Sequence, residues 1–403
     1  MSDCLYDYDK VLQRAIDRVS LAEGLSERKK QLVLAHKDEM LANGISKGRA
    51  ARFTYYVAKL GEWLPCEFEE ADLATIKQVV SRIEASDYVP FSKMEHKLAL
   101  RRFYKWLRGN DEYPPEVKWI PMRVKRSDRF KLPEELLTEK DVQALVEASL
   151  NPRDRAFIAV LYESGTRISE LALLRLKHIQ FDVHGARIMV RGKTGARSVR
   201  IISSVPLLTS WINVHPSKSD PDAHLWLTNR GDVPSHTTIV TMLDAVAKRA
   251  GIKKPVNPHS FRHSRATRLA CHLTEAQMKE HFGWVQASRM AAVYVHLSGR
   301  DVDDALLRVY GVRKEDSVAI ESPMMPRSCR RCQTQNAAVN RFCSLCGLPL
   351  DPEATAAALQ DDIQRRQADG ILDRMLEDPA FKEQFLRKLK DTVTSTARVS
   401  PGQ

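Results

Sequence analysis

The sequence predicts a mainly α-helical protein with one small antiparallel β-sheet and a metal-binding module near its C-terminal end. Three observations lead to this prediction. Apolar residues recur at helical spacing through the N-terminal third, two strand-like runs (186–190 and 198–202) flank a Gly-Lys-Thr-Gly turn, and two Cys-x-x-Cys pairs follow within 329–346. A chain of 403 residues is long enough to build two or three hydrophobic cores.

The N-terminal third, 1–112, is expected to be a helical domain. Apolar residues repeat every three or four positions in four stretches, 31–41, 53–60, 72–85 and 92–107. Asn43-Gly44 separates the first two stretches, and Gly109-Asn110 closes the last one. Periodicity alone therefore indicates a helical bundle and does not show what the bundle binds.

The segment 113–132 is expected to be a basic linker. Tyr113-Pro114-Pro115 cannot continue a helix, because proline lacks the N–H donor and restricts the residue before it. Basic residues then outnumber acidic ones: Lys118, Arg123, Lys125, Arg126, Arg129 and Lys131 against Glu116 and Asp128. Such a linker is suited to follow a phosphate backbone, and an ordinary solvated loop is the alternative.

The overall charge also favours a polyanionic partner. The chain carries 63 Lys and Arg against 51 Asp and Glu, a net charge of +12, which favours nucleic acid through counterion release without indicating a base sequence. No apolar run approaches the length of a membrane span, and the N-terminus is acidic where a secretory signal would be basic. We therefore expect a cytoplasmic protein, located with the DNA, and no membrane partner.

The first part of a predicted phosphate-binding site follows a turn at Gly165, inside a mixed α/β domain expected over 133–312. Glycine permits a tight turn, and Thr166 is suited to cap the helix that comes next. Arg167 opens this helix, and Glu170 lies one turn beyond, where it can brace the guanidinium.

Further candidates lie near the predicted hairpin and toward the end of this domain. His259 and Arg262 are three residues apart, so they share one face of a helix. Two arginine forks and an imidazole can hold both non-bridging phosphate oxygens as charge builds in a pentacoordinate transition state. Tyr294 supplies a phenol that can form a covalent phosphoester, and Lys193, in the hairpin turn, can protonate a leaving oxygen.

Six residues, in this order and at these spacings, resemble the motif of the tyrosine recombinase (phage integrase) family: Arg167, Lys193, His259, Arg262, Trp284 and Tyr294. The resemblance covers 26–311 and implies a helical core-binding domain that clamps duplex DNA together with a tyrosine recombinase catalytic domain. Two positions depart from the commoner family pattern, Phe261 in place of Leu and Trp284 in place of His. Tryptophan keeps a hydrogen-bond donor but cannot shuttle a proton, so phosphate contact and packing are expected of it.

The resemblance implies a site-specific DNA recombinase that cuts and rejoins double-stranded DNA, as a tetramer on two duplexes. In this scheme Tyr294 attacks the phosphate and leaves a 3′-phosphotyrosyl bond, while both arginines, His259 and Trp284 hold the phosphate. Lys193 acts as the general acid, and His259 assists proton transfer. Neither ATP nor a catalytic metal is expected, because the covalent intermediate conserves bond energy, and the sequence has no Walker-type glycine loop.

Each of these residues, taken singly, also has a purely structural explanation. An Arg-x-x-Glu is commonly an ion pair on a helix surface, a His-x-x-Arg a solvated helix face, and a Trp after Gly a core residue. Lys177 and Arg197 lie close enough to Lys193 to be alternatives to it. The functional interpretation depends on the six residues occurring together.

Other phenols and imidazoles compete with the chosen ones. Tyr162 and Tyr310 are rival nucleophiles, but Tyr162 lies in an apolar run typical of a core, and Tyr310 lacks the upstream Gly-Trp pair. His263 is interpreted as a structural helix residue and His296 as support for the segment around Tyr294.

Four cysteines predict a zinc site over 327–352: Cys329, Cys332, Cys343 and Cys346. Two Cys-x-x-Cys knuckles at this separation can place four thiolates around one Zn²⁺, and this arrangement resembles a zinc ribbon. Four thiolates leave no open coordination position, so one structural zinc per chain is expected. Disulfides are the competing interpretation, which the absence of a secretory signal disfavours. The arginines around the cysteines suit contact with DNA or with protein equally.

The C-terminal segment 353–403 is expected to be a helical tail with a disordered end. Residues 353–391 are charged and carry apolar residues at helical recurrence, interrupted near Pro379, whereas 392–403 resemble a disordered tail. This helix either packs on its own ribbon or catalytic domain or forms a partner surface.

Three other functions remain open at the level of the sequence. A topoisomerase-like relaxing enzyme could use the same phosphate clamp, and a DNA-binding regulator could use the fold without cutting. The cysteine module and tail could also make the chain chiefly a partner-recruiting protein.

Overall fold

The computed structural model describes residues 5–123, 135–192, 194–297, 310 and 322–396. Lys193 and the part of the expected basic linker from 124 onward lie outside these residues. None of the helices in the described ranges is long and apolar enough to cross a membrane.

The N-terminal part is all-helical, as predicted. Within 5–123 the helices are α1 (Tyr8–Ser20), α2 (Glu27–Ala42), α3 (Lys47–Trp63), α4 (Leu73–Ala85), α5 (Pro90–Leu107) and α6 (Pro115–Lys118). Ser26 and Asp72 cap α2 and α4, because each side chain accepts a hydrogen bond from a backbone N–H of the first turn. The apolar faces meet in one core, where Phe53, Phe68 and Phe103 are buried.

Helix α6 lies within the expected linker and begins at Pro115 as a new helix that does not continue α5. Pro115 occupies the first turn of the helix, where the missing N–H costs nothing because no carbonyl would accept it. Val117 and Ile120 are buried in the core of the N-terminal bundle. The first part of the expected linker therefore packs against this bundle.

The second part combines helices with one three-stranded sheet, which confirms the predicted mixture. Its helices are α7 (Glu139–Glu147), α8 (Pro152–Ser164), α9 (Ile168–Ala172), α10 (Val205–Asn213), α11 (His236–Arg249), α12 (Pro258–Ala270), α13 (Glu275–Phe282) and α14 (Met290–Leu297). The strands β1 (Ile179–Asp182), β2 (Gly185–Gly192) and β3 (Gly195–Ile201) form an antiparallel meander in that order. Helix α8 is buried from Ala156 to Ser164 and lies in the core of this part.

A buried carboxylate joins the sheet to α8. Glu163, near the end of α8, accepts hydrogen bonds from the backbone N–H groups of Ile202, Ser203 and Ser204, just after β3. Charge-assisted hydrogen bonds of this kind are stronger than neutral ones, so the contact fixes the hairpin relative to the C-terminal end of α8.

The C-terminal part contains two short paired strands and two helices. These are β4 (Arg327–Ser328), β5 (Gln335–Asn336), α15 (Pro352–Leu376) and α16 (Pro379–Thr396). Met324 and Ala337 are buried against the core of the mixed part, so this module packs on it. Residues 392–396 belong to α16, so the prediction of disorder from Thr392 is wrong for these five positions.

Candidate active site

A basic groove with a volume of about 1020 Å³ lies between the two main parts of the molecule. Helices α1 and α3 contribute Arg14, Arg18 and Arg52 to one wall. The other wall carries five of the six predicted catalytic residues: Arg167, His259, Arg262, Trp284 and Tyr294. None of the described residues that line the groove is acidic. The groove is therefore electrostatically suited to an anion.

Two of its arginines are held by backbone carbonyls at the ends of helices. Arg262 donates from Nη1 to the carbonyl of Gly165 at 2.8 Å and from Nη2 to that of Phe282 at 2.6 Å. Arg167 donates from Nη2 to the carbonyl of Gly283 at 3.1 Å. Adjacent carbonyls at the end of α13 thus orient both guanidinium groups.

Glycine is required at both of these helix ends. Gly165 ends α8 with φ +56° and Gly283 ends α13 with φ +59°, in the left-handed region that side chains disfavour. A Cβ at Gly165 would lie 2.5 Å from the Phe282 ring, and one at Gly283 would lie 2.7 Å from the Arg197 guanidinium. The carbonyls at a helix C-terminus carry partial negative charge, which favours the bound arginines.

Glu170 braces Arg167, as the sequence predicts, but it also binds a second arginine. Its carboxylate accepts from Arg167 Nη1 at 2.7 Å and from Arg197 through two bonds of 2.7 and 3.1 Å. Glu170 is only 3% exposed. Burial alone would raise the pKa of Glu170, but the bonds and charges of Arg197 and Arg167 outweigh it and lower the pKa.

We expect Glu170→Gln to destabilise the fold by roughly 3 kcal/mol, because it leaves two partly buried cations without their counter-charge. Because the folded pKa of Glu170 is lowered, its stabilising effect is fully present above the ordinary glutamate pKa and is lost as the pH falls through the lowered folded pKa. Urea unfolding of both proteins at pH 7 and pH 3 measures this difference. The exposed Glu147→Gln is the control, and an equal loss in both variants would contradict the role of Glu170.

The Arg262 guanidinium is partly buried beside aromatic rings. Burial, together with the nearby charge of Arg167, lowers the pKa of Arg262 to about 10, which still leaves it cationic at neutral pH. Its guanidinium carbon lies 5.1 Å from the ring centroid of Phe282 and 5.6 Å from that of Trp284. These aromatic faces stabilise a cation that burial would otherwise disfavour.

Tyr294 faces the same groove from α14. It is 7% exposed, and its ring stacks on Trp284 at a centroid distance of 5.7 Å with an interplanar angle of 1°. Burial raises the pKa of Tyr294 to about 12, although Arg262 acts in the opposite direction. Trp284 thus lies next to both the Arg262 guanidinium and the Tyr294 ring.

Of the two remaining predicted residues, the structure describes His259 but not Lys193. His259 is exposed and lines the groove near the start of α12. Lys193 lies outside the described residues, but Thr194 Oγ1 donates to the Gly283 carbonyl at 3.1 Å. Gly192, on the other side of Lys193, has no room for a Cβ because Glu170 fills that space. The residues on both sides of Lys193 therefore lie next to the two groups that bind Arg167, Glu170 and the Gly283 carbonyl.

The rival phenols lie elsewhere. Tyr162 is 3% exposed in the core of the mixed part, as its apolar context predicts. Tyr310 is 78% exposed and is not among the residues that line the groove.

The structure adds a contact for His263 and corrects the assignment of Thr166. His263, for which a structural role is predicted, lines the groove, and its Nδ1 is hydrogen-bonded to the Tyr294 hydroxyl. Thr166 does not cap α9: the cap position is Arg167, whose N–H donates to Glu170 at 2.9 Å, while the Thr166 hydroxyl lies 3.0 Å from that of Ser164. In the sequence, the only hint that His263 belongs to the site is that it directly follows Arg262 of the His-x-x-Arg pair.

Comparison with known proteins identifies the family. Residues 135–300 match the Phage integrase family. Tyrosine recombinase XerD of Bifidobacterium longum (strain NCC 2705) is 30% identical over 251 residues, an alignment that covers 56% of this chain and 80% of XerD. The chain belongs to the tyrosine recombinases of the phage integrase family. Tyrosine recombinase XerC of Xanthomonas axonopodis pv. citri (strain 306) is 29% identical over 213 residues, covering 51% of this chain and 67% of XerC.

Solved structures share the fold of this recombinase. XerH site-specific recombinase, bound to palindromic difH substrate in a post-cleavage complex, superimposes with a TM-score of 0.52 at 17% identity, covering 74% of this chain and 95% of XerH. The Tn1549 transposon integrase in complex with transposon right end DNA gives a TM-score of 0.55 at 16% identity, covering 70% and 99%. The family makes this recombinase an enzyme of the site-specific recombinase class, and the topoisomerase-like and purely DNA-binding alternatives are not favoured.

Proposed function

We propose that this recombinase cleaves and rejoins double-stranded DNA through a 3′-phosphotyrosyl bond formed by Tyr294. One observation carries the proposal: the Tyr294 phenol and the guanidinium groups of Arg167 and Arg262 line one groove, and no acidic side chain is among its described lining residues. A phosphate diester in this groove would meet a nucleophile and two cations at once.

The two arginines are suited to stabilise the transition state of phosphoryl transfer. A guanidinium carries five N–H donors, and the bonds to Glu170 and to the backbone carbonyls use only two nitrogens of each arginine. Donors therefore remain for the non-bridging oxygens of the phosphate. Because the carbonyls and Glu170 already fix the guanidinium groups, little reorganisation is needed when negative charge develops.

Lys193 and His259 complete the proposed mechanism. We assign Lys193 as the general acid that protonates the leaving 5′ oxygen, supported by the bond between the neighbouring Thr194 and the Gly283 carbonyl, which also binds Arg167. His259 contacts the phosphate and assists proton transfer, since it shares the groove-facing side of α12 with Arg262. Trp284 contributes phosphate contact and holds the tyrosine ring by stacking.

DNA would lie between a helical domain (1–112) and a catalytic domain (133–312), joined through the segment 113–132, whose first residues pack on the helical domain. Arg14, Arg18 and Arg52 face the catalytic wall and supply charge for phosphate contacts that do not depend on base sequence. The XerH structure, a post-cleavage complex on difH substrate, supports DNA as the partner. We further propose a tetramer assembled on two DNA sites in the cytoplasm.

The four cysteines are proposed to hold one structural zinc. Their Sγ atoms all lie within 4.8 Å of one another, and three pairs are 3.5–3.6 Å apart. Zinc–sulfur bonds of about 2.3 Å in a tetrahedron separate the sulfurs by about 3.8 Å, whereas a disulfide would bring two to about 2.05 Å. The buried Asn336 donates to Cys343 Sγ and accepts from Ser344 N–H, which orients the second knuckle.

Cys332→Ser is expected to release the metal and to unfold the segment 327–350, because structural zinc contributes folding free energy directly. Elemental analysis should fall from one zinc per chain to none, and new protease cuts should appear in this segment. Covalent DNA cleavage should persist, since the proposed catalytic groups lie on other elements. Cys271→Ser, which changes an exposed cysteine, is the control. Wild-type protein that contains no zinc, or that has two disulfides, would contradict the proposal.

The function itself is tested by trapping the covalent product. The protein is incubated in EDTA with genomic fragments that carry candidate sites, denatured, and the DNA bound to protein is sequenced. The expected result is DNA attached through its 3′ end at a recurring sequence. Adducts that require added Mg²⁺, or relaxation of supercoiled plasmid without recombinant products, would overturn site-specific recombination by this mechanism.

A further inference from the structure

We propose that His263 is the general base that takes the proton from Tyr294 as the phenol attacks DNA. The inference deepens the proposed function and rests on Tyr294 as the nucleophile. Neither the position of His263 in the sequence nor its neighbours indicate this role.

The geometry supplies the contact that proton transfer requires. His263 Nδ1 is hydrogen-bonded to the hydroxyl of Tyr294, so a base already contacts the attacking atom. With the ring proton on Nε2, Nδ1 accepts this bond. The rings of His263 and Tyr294 have a centroid distance of 6.0 Å and an interplanar angle of 40°. Trp284 stacks on the Tyr294 ring and so holds the phenol in place.

The environment of the phenol explains why a base is needed. Burial raises the pKa of Tyr294 to about 12, so roughly one phenol in 10⁵ would be ionised at pH 7. Arg262 favours the phenolate, but its charge does not overcome the effect of burial. A base in contact with the hydroxyl removes the proton while the new bond forms, so free phenolate need not accumulate.

The proposed step is balanced in both directions. During cleavage the Tyr294 Oη–phosphorus bond forms, the phosphorus–O5′ bond breaks, the phenol proton moves to His263 Nδ1, and the general acid protonates O5′. During rejoining the 5′ hydroxyl gives its proton to that acid in its basic form and attacks phosphorus. The tyrosine oxygen then leaves and recovers its proton from the His263 imidazolium. No outside reactant is consumed.

Two substitutions separate a base from a residue that only positions Tyr294. His263→Ala removes the imidazole, and His263→Asn keeps an amide that can hydrogen-bond to the hydroxyl but cannot accept its proton. Both variants are expected to form adduct about a hundredfold more slowly in single-turnover assays. Added free imidazole should accelerate His263→Ala. Adduct formation by His263→Asn at nearly the wild-type rate would overturn the proposal, because hydrogen bonding alone would then suffice.

A second substrate shows whether His263 acts on the attacking tyrosine oxygen or on the leaving O5′. With sulfur in place of the scissile O5′, the leaving thiolate needs no proton, so a defect in the general acid disappears. The His263 variants should stay slow on this substrate, whereas Lys193→Ala should recover. Recovery of the His263 variants would assign the residue to the leaving group and overturn the proposal.

Controls keep this test independent of folding and of the proposed nucleophile. His184→Asn, an exposed histidine of the β1–β2 turn, should match wild type. Thermal unfolding and DNA affinity are measured for every variant, and if His263→Ala unfolds, His263→Asn carries the comparison. If Tyr294 is not the nucleophile, wild-type protein will form no adduct at Tyr294. If only the role of His263 is wrong, wild-type protein will still form the Tyr294 adduct.

Discussion

Tyr294→Phe is expected to abolish the covalent protein–DNA product while leaving DNA affinity nearly unchanged. The substitution removes the attacking oxygen and keeps the ring, which is buried and stacked on Trp284. No cation of the groove is lost, so the attraction for phosphate should persist. Denaturing gels of reactions with site-bearing DNA measure the adduct, and a binding titration at fixed salt measures affinity.

The matched control is Tyr310→Phe, which makes the same chemical change at an exposed phenol. It should form adduct at the wild-type rate. Tyr294→Phe also loses the hydrogen bond to His263, which contributes about 1 kcal/mol to stability, so its unfolding is measured as well. Adduct at wild-type level in Tyr294→Phe would show that another residue is the nucleophile, and Tyr310 would be the first to test.

Local patterns predict the elements that carry the site. The helical spacing in 72–85 and 92–107 and the strand-like runs beside the Gly-Lys-Thr-Gly turn both depend on neighbours within a few positions. The structure has α4, α5 and the β2–β3 hairpin at these places. Glu170 as the brace of Arg167 is also a local relation, one helical turn apart, and it is present.

Contacts between distant segments could not be predicted in the same way. Arg197 binds Glu170 across 27 positions and His263 meets Tyr294 across 31, so no local periodicity connects them. The sequence offers Arg197 only as a substitute for Lys193, whereas the fold uses it to neutralise a buried carboxylate. The carbonyls of Phe282 and Gly283 that orient the arginines could not be predicted either, because every residue type has a backbone carbonyl.

Arg262→Ala is expected to slow adduct formation by about a hundredfold or more, the effect of losing one preorganised charge donor from a transition state. DNA affinity should fall far less, because many other phosphate contacts remain along the groove. A rate that falls while the binding constant hardly changes identifies an interaction made mainly in the transition state. Single-turnover cleavage at saturating protein measures the rate without a contribution from binding.

Arg262→Lys tests whether charge alone is sufficient. Lysine keeps the positive charge but lacks the planar fork that reaches the carbonyls of Gly165 and Phe282 while still offering donors to a phosphate. We therefore expect its rate to lie between those of wild type and Arg262→Ala. The control Arg268→Ala removes an arginine of the same helix that pairs with Glu139 and does not line the groove. Cleavage by Arg262→Ala within a few-fold of this control, in folded protein, would show that Arg262 does not hold the reacting phosphate.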